Sequence, residues 1–190
     1  MDRLRAALPI SIKRCVWNLK YGVLGYPKFT APDDVVQHVV QKVTNSASIL
    51  ELGCGRGCLL SALRREGWMG SYCGVDISQR AIHDARAMLD QRSSWIASDF
   101  ESFSSPFKWD VIAMIESICY LKLTDVPAFL DRAFGMLTDS GIIVIRLHDF
   151  DKYSKYIEII EGLFAASKRV SPNVLCVTRD SRTLNTLPAC

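Results

Sequence analysis

Ile49-Leu50-Glu51-Leu52-Gly53-Cys54-Gly55-Arg56-Gly57-Cys58 is the stretch on which the reading of this chain turns. Apolar residues carrying one acid lead into three glycines at alternate positions. Leu59-Leu60-Ser61-Ala62-Leu63-Arg64-Arg65 then follows with apolar residues at helical spacing. The pattern predicts a buried strand, a tight turn with no Cβ in the way, and a helix whose first N–H groups face the turn. Such a turn lets a ligand approach bare backbone. Glu51, at the strand end, constrains which ligand. A carboxylate there disfavours a pyrophosphate and favours a ligand carrying positive charge. The run Gly53-x-Gly55-x-Gly57-Cys58 also departs from the G-x-G-x-x-G of dinucleotide sites, and no G-K-[ST] marks a Walker phosphate loop.

Working outward, 190 residues suit one domain with a sizeable core. Apolar content of 49% and charged content of 23% read as a soluble globular protein. A net charge of +3 makes no electrostatic case for nucleic acid. No apolar run is long enough to span a bilayer, and Met1-Asp2-Arg3-Leu4-Arg5 is not followed by a signal-type apolar core. Seven scattered cysteines read as reduced thiols in a cytoplasmic protein. Cys54 and Cys58 have neither a second pair nor a nearby histidine, so no metal site is expected.

A second acid falls where the first strand-turn-helix predicts one. Gly70-Ser71-Tyr72-Cys73-Gly74-Val75-Asp76 reads as a strand ending in a carboxylate about twenty residues beyond Gly55, the spacing that places an acid on ribose hydroxyls. Two carboxylate oxygens match two adjacent hydroxyl donors. Ser78 is the better cap for the helix Gln79–Leu89, which leaves Asp76 to the ligand. Trp95–Ser98 forms a third strand closed by Asp99-Phe100, and Phe107–Ile115 a fourth, with Asp110 structural. The fourth runs into Glu116-Ser117-Ile118-Cys119-Tyr120. Thr124 caps a helix from Asp125 to Leu137, Ser140-Gly141 is a turn, and Ile142–Leu147 is a central fifth strand ended by His148-Asp149. Tyr153–Phe164 is the last helix, and Ala165–Val170 and Val174–Thr178 are the last strands.

The Glu-x-Gly-x-Gly-x-Gly pattern, with acids at three successive strand ends, resembles the class I S-adenosylmethionine-dependent methyltransferases. The resemblance covers roughly Asp33 to Thr178. It implies an α/β, Rossmann-like three-layer sandwich with a seven-stranded, mostly parallel sheet, an antiparallel last strand and helices on both faces. It implies S-adenosyl-L-methionine as methyl donor, with S-adenosyl-L-homocysteine as product. Asp99 would accept from the adenine amino group with Phe100 flanking the base. Glu51, Gly53, Cys54, Gly55, Gly57, Asp76, Ile77 and Ile115 would complete the cofactor site. The segment before the first strand often folds over the cofactor in that family, which brings in Tyr21, Tyr26 or Phe29 from a loop over Lys20–Thr30. No Asn-Pro-Pro-Tyr or Asp-Pro-Pro-Tyr follows the fourth strand, which weakens the case for base or amide nitrogens as acceptors.

The expected organisation is a basic helix and aromatic cap over residues 1–32, a methyltransferase core over 33–179 and a tail over 180–190. The first segment reads as a helix broken at Pro9, with Leu4, Leu8, Ile12, Val16 and Leu19 packed on the domain and its basic residues in water, or else as a lid over the site or a weak anchor for an anionic partner. A helix over Asp33–Val43 puts its valines inward, leaving His38 at the surface. The acceptor side falls to Glu116 as acid or pocket wall, Tyr120 as wall or donor, and His148 as a base or a backbone-bonded ring. Transfer would be in-line to N, O or S, with alignment carrying more of the rate than any single base. A small-molecule acceptor, a monomer or homodimer and no membrane span are the expectations. A protein or RNA acceptor docking on the basic helix, and a non-catalytic binding subunit, stay open as alternatives.

Overall fold

The structure, a computed structural model, describes residues 8–23, 33, 35, 36, 45–164 and 166–179. The elements in chain order are α1 (Ile10–Gly22), β1 (Ser48–Leu52), α2 (Cys58–Arg65), β2 (Ser71–Asp76), α3 (Gln79–Arg86), β3 (Ser93–Ala97) and β4 (Trp109–Ile115). Two 3₁₀ turns, Ile118–Tyr120 and Leu123–Asp125, lead to α4 (Val126–Gly135), β5 (Leu137–Arg146), α5 (Ser154–Leu163), β6 (Ser167–Ser171) and β7 (Val174–Thr178).

The seven strands form one sheet in the order β3-β2-β1-β4-β5-β7-β6. Every pairing is parallel except those of β7, which runs antiparallel to β5 and to β6. Side-chain alternation sorts the core into two layers. Leu50, Leu52, Val75, Ile112, Met114, Ile143 and Ile145 meet Phe129, Leu130 and Ala133 of α4 and Ile157 and Ile160 of α5. Ile49, Tyr72, Val111, Ala113, Ile142 and Val144 meet Leu59, Leu60 and Leu63 of α2 and Ile82 and Ala85 of α3. The central strands are apolar on both faces because helices cover both.

The expected class and topology are those observed; several local features differ. The helix after Pro9 runs through Tyr21 and Gly22, where a loop is expected. Its buried residue is Lys13, while Ile12 and Leu19 are 46% and 50% exposed, the reverse of the expected face. Thr124 caps nothing: its hydroxyl donates to Asp125 Oδ1 (2.9 Å), and α4 starts at Val126 with Pro127 in its first turn. Ser140-Gly141 is not a free turn. It lies inside β5, which starts pairing at Leu137 opposite Trp109 and shifts register before Ile142. Asp110 takes the structural part expected of it, accepting from the Ser48 N–H (2.9 Å) and hydroxyl (3.0 Å) and from Thr138 Oγ1 (3.2 Å). Asp33, Val35 and Val36 are helical, with both valines buried. The rest of that helix, Tyr26, Phe29, His38 and the tail over 180–190 lie outside the described residues.

Candidate functional site

The strand order reverses between β1 and β4. The chain steps outward from β1 to β2 and β3, then crosses to β4 on the other side. A crevice opens at the carboxyl ends of strands at such a reversal. A cavity lies there, lined by Glu51, Gly53, Cys54, Gly55, Asp76, Ile77, Asp99, Phe100, Ile115, Glu116, Tyr120 and Tyr21. All of these were singled out in the sequence. Two others were not brought to it. Gly57 is turned into the α2–β3 layer, where a Cβ would meet Met88 Cε at 2.3 Å and Trp95 Cη2 at 2.4 Å. His148 stands one contact outside the lining, on Glu116.

The glycine turn is pinned to β2: the N–H groups of Gly53 and Cys54 both donate to the Val75 carbonyl (2.8 and 3.0 Å). Gly53 (φ +87°) and Gly55 (φ +53°) take left-handed conformations that L side chains rarely adopt. A Cβ on Gly53 would sit 2.5 Å from Ser117 Cβ, and one on Gly55 2.8 Å from Tyr21 Oη. Bare backbone therefore forms the floor between β1 and β4.

Three carboxylates surround that floor. Asp76 is buried, and its two oxygens accept from the Gly55 N–H (2.9 Å) and the Ser78 N–H (2.8 Å). Burial pushes its pKa up to about 6, against the pull of those two amides. Ser78 Oγ caps α3 by accepting from the Ala81 N–H (3.2 Å), the role expected of it. Asp99, also buried, accepts from the Glu101 N–H (3.1 Å) and Ser102 Oγ (3.2 Å). Glu51 is 4% exposed and accepts from the Tyr72 hydroxyl. Burial raises its pKa to about 8; the tyrosine hydrogen bond opposes that shift and the Asp76 charge adds to it. Among the described residues no cation pairs with Glu51. The Ser117 hydroxyl, buried on the β4 side of the same cavity, has no hydrogen-bond partner among the described residues.

Sequence reasoning brought Tyr21 to the site as cover but missed the rest of the wall that α1 builds. Lys13, Trp17 and Tyr21, spaced one helical turn apart, line the cavity together with Arg56, Cys58, Leu59, Glu101 and Ser117. Lys13 Nζ donates to Glu101 Oε1 beside Asp99. Asn18 Oδ1 accepts from the Ser78 hydroxyl (2.9 Å) and the Arg80 N–H (3.3 Å). Arg56, paired with Asp84 (2.9 Å), donates to the Tyr21 carbonyl (2.6 Å). The signal that could have found this wall is Lys13, Trp17 and Tyr21 at i, i+4, i+8, a polar and aromatic stripe on one face.

Glu116 has φ +53°, a conformation costing a non-glycine residue about 1–2 kcal/mol. Both carboxylate oxygens are engaged: Oε1 accepts from Arg146 Nη1, and Oε2 lies 2.6 Å from His148 Nδ1. The expected acid is thus tied to the other acceptor-side candidate.

A family model described as a methyltransferase domain matches residues 28–174. A ubiquinone biosynthesis O-methyltransferase of Bradyrhizobium diazoefficiens is 32% identical over 102 residues, 51% of this chain and 38% of that one. A dTDP-3-amino-3,4,6-trideoxy-alpha-D-glucopyranose N,N-dimethyltransferase of Streptomyces venezuelae is 25% identical over 133 residues, 69% of this chain and 55% of that one. The chain thus spans 38% and 55% of the length of these two relatives. The N-methyltransferase NodS of Bradyrhizobium japonicum WM9, solved with S-adenosyl-L-homocysteine, superposes with a TM-score of 0.61 at 21% identity, over 76% of this chain and 82% of that one.

Proposed function

The chain belongs to the methyltransferase domain family, and on that premise we propose that it transfers a methyl group from S-adenosyl-L-methionine to a small-molecule acceptor. The observation that carries the reading is the single cavity in which Glu51, Asp76 and Asp99, from three adjacent strand tips, converge on the bare backbone of Gly53 and Gly55. Three features fit the donor. Glu51 is a buried carboxylate without a cation among the described residues, and the ligand is cationic. Ser117 offers an unpartnered buried hydroxyl to the polar head of the methionine part. Asp76 keeps lone pairs for two ribose hydroxyls after accepting one amide on each oxygen.

The remaining assignments follow the same placement. Asp99 and Phe100 hold the adenine, Ile77 and Ile115 flank the nucleoside and thioether regions, and Tyr21 and Trp17 close the cavity from α1. When bound, the donor supplies an activated methyl on a neutral leaving group, so the protein's work is alignment and exclusion of water. Residues 33–179 serve as the catalytic core and 1–32 as its cover. The names of the relatives, an O-methyltransferase and an amino-sugar N,N-dimethyltransferase, support a small-molecule acceptor. No helix among the described residues is long and apolar enough to cross a membrane, and their six cysteines are free, which supports a reducing, cytoplasmic setting.

Calorimetric titration with S-adenosyl-L-homocysteine tests the reading. Wild type binds, and Asp76→Ala loses about 10²-fold or more, since two ligand hydrogen bonds to a charged group go together at about 1.5–3 kcal/mol each. Equal affinity in the two proteins, or no binding to wild type, would refute the site.

A further inference from the structure

On the acceptor side, the sheet brings together three residues that neither the glycine motif nor the cofactor reading uses as a unit. Glu116 follows β4, Arg146 ends β5, and His148 lies two residues further on. Glu116 sits in a left-handed backbone conformation, anchored by its N–H to the Arg146 carbonyl (2.9 Å). Its carboxylate is divided between the Arg146 guanidinium on one oxygen and His148 Nδ1 on the other. Arg146 and Glu116 side chains are only 14% and 18% exposed, whereas His148 is 49% exposed at the rim. The ring also meets Tyr153 edge-on at 5.4 Å.

The chemistry of this arrangement is directional. A carboxylate accepts, so the 2.6 Å contact puts the imidazole proton on Nδ1 and leaves the lone pair on Nε2. Arg146 occupies the other oxygen of Glu116, so the carboxylate is fixed where it orients the ring and stabilises it once charged. We propose that His148 is the general base for the methyl acceptor, that Glu116 and Arg146 are its positioning residues, and that the acceptor is a phenolic hydroxyl. This rests on the methyltransferase reading above.

The acceptor class comes from the adjoining wall. Trp17 and Tyr120 meet edge-to-face at 5.1 Å and line the cavity beside Glu116, a surface for a flat ring. A phenol is protonated at neutral pH and is a poor nucleophile until it loses that proton, which is what a base is needed for. In the step, the phenol O–H bond breaks and its proton goes to His148 Nε2. The oxygen pair forms the new O–C bond, and the C–S bond breaks with its pair left on sulfur. The sulfonium charge is lost as the imidazolium charge appears, so atoms and charge balance.

The test has two parts. Long-range ¹H–¹⁵N spectra of the protein, compared with His148→Gln for assignment, are expected to show His148 as the Nδ1–H tautomer at neutral pH, and Glu116→Gln is expected to remove that preference. An Nε2–H tautomer in wild type would overturn the proposal. Transfer is then followed at pH 8 with two probes, phenol and 4-nitrophenol, the latter already ionised at that pH. His148→Gln is expected to lower turnover of phenol by about 10²–10⁴-fold. Its loss on 4-nitrophenol should be less than about tenfold, with S-adenosyl-L-homocysteine affinity unchanged in both proteins. Equal losses on the two phenols, or none, would overturn the base. A wild-type protein that binds S-adenosyl-L-homocysteine but methylates neither phenol would overturn the acceptor class while leaving the donor site standing. A protein that binds no S-adenosyl-L-homocysteine would instead sink the function proposed above.

Discussion

Replacing Glu51 by glutamine should make the ligand-free protein more stable at pH 8 and leave it unchanged near pH 5. Glu51 is buried against Tyr72 and Asp76, and its pKa stands at about 8 where 4.5 is ordinary. Between those values the folded chain keeps a proton that the unfolded chain has released. The stabilisation from this group is therefore complete below pH 4.5 and lost as the pH rises through about 8. Each pH unit in that window costs about 1.4 kcal/mol, for a total of about 5 kcal/mol by pH 8. The other groups facing Glu51 leave the upper part of the window clear. Asp76 titrates at about 6, while the Tyr72 hydroxyl and the Cys54 and Cys58 thiols are pushed above their ordinary values of 10.0 and 9.0. Urea unfolding of wild type and Glu51→Gln at pH 6, 7 and 8 reads the difference directly. Binding of a cation should reverse the same penalty. S-adenosyl-L-methionine would draw Glu51 to its charged form, release close to one proton near pH 6.5 and bind about tenfold more tightly per pH unit in that range. Calorimetry in two buffers of different ionisation enthalpy counts the proton. Glu51→Gln should release only the small fraction of a proton that Asp76, at about 6, still holds near pH 6.5, and 5′-methylthioadenosine, which lacks the amino-acid part and the sulfonium, should bind wild type with no comparable slope. Parallel stability curves for the two proteins, or the same proton release from both, would refute the argument.

Three further outcomes follow from the same cavity. Ser117→Ala should leave the melting temperature unchanged, because its hydroxyl has no partner to lose among the described residues. It should weaken S-adenosyl-L-homocysteine about fivefold by calorimetry, one hydrogen bond at about 1 kcal/mol. Gly53→Ala adds a left-handed side chain at about 1–2 kcal/mol and a Cβ 2.5 Å from Ser117 Cβ. With overpacking of about 1–3 kcal/mol, a thermal melt should show a fall of about 5–15 °C. Lys13→Met removes the partner of Glu101 and loosens α1 at the Asp99 end of the cavity. Ligand affinity should fall by about tenfold while the melting temperature moves by only a few degrees, since Glu101 keeps about a quarter of its side chain in water.

The parts of the fold that were legible share one physical cause. An all-parallel centre needs strands apolar on both faces, so Ile49–Leu52 and Ile142–Leu147 announce themselves without reference to any partner. Acids at strand ends are legible for a related reason. Glu51, Asp76, Asp99 and Glu116 each interrupt or end an apolar run, and a carboxylate so placed must be near water or a ligand. Features set by long-range geometry were not legible. Nothing local reveals that Gly57 faces Met88 and Trp95 while Gly55 faces Tyr21, since each is flanked by Arg56 and a cysteine. The bond between Glu116 and His148 joins residues 32 apart in the chain and exists only because β4 and β5 are adjacent and in register.

The reversed face of α1 is the instructive error, because the periodicity rule was applied correctly and its premise failed. Apolar residues at helical spacing mark the buried side when the surface beneath is apolar. Here the helix lies across a cleft rimmed by Glu101, Ser78, Arg56 and Tyr120, so the matching side is the one with Lys13, Asn18, Tyr21 and Trp17. Ile12 and Leu19 are left outward as a consequence. A helix that covers a ligand site is selected for what it offers the ligand and the polar rim. Its amphipathic pattern should then be read against the site, and a lysine, an asparagine and two aromatics within nine residues are the sign that the site is underneath.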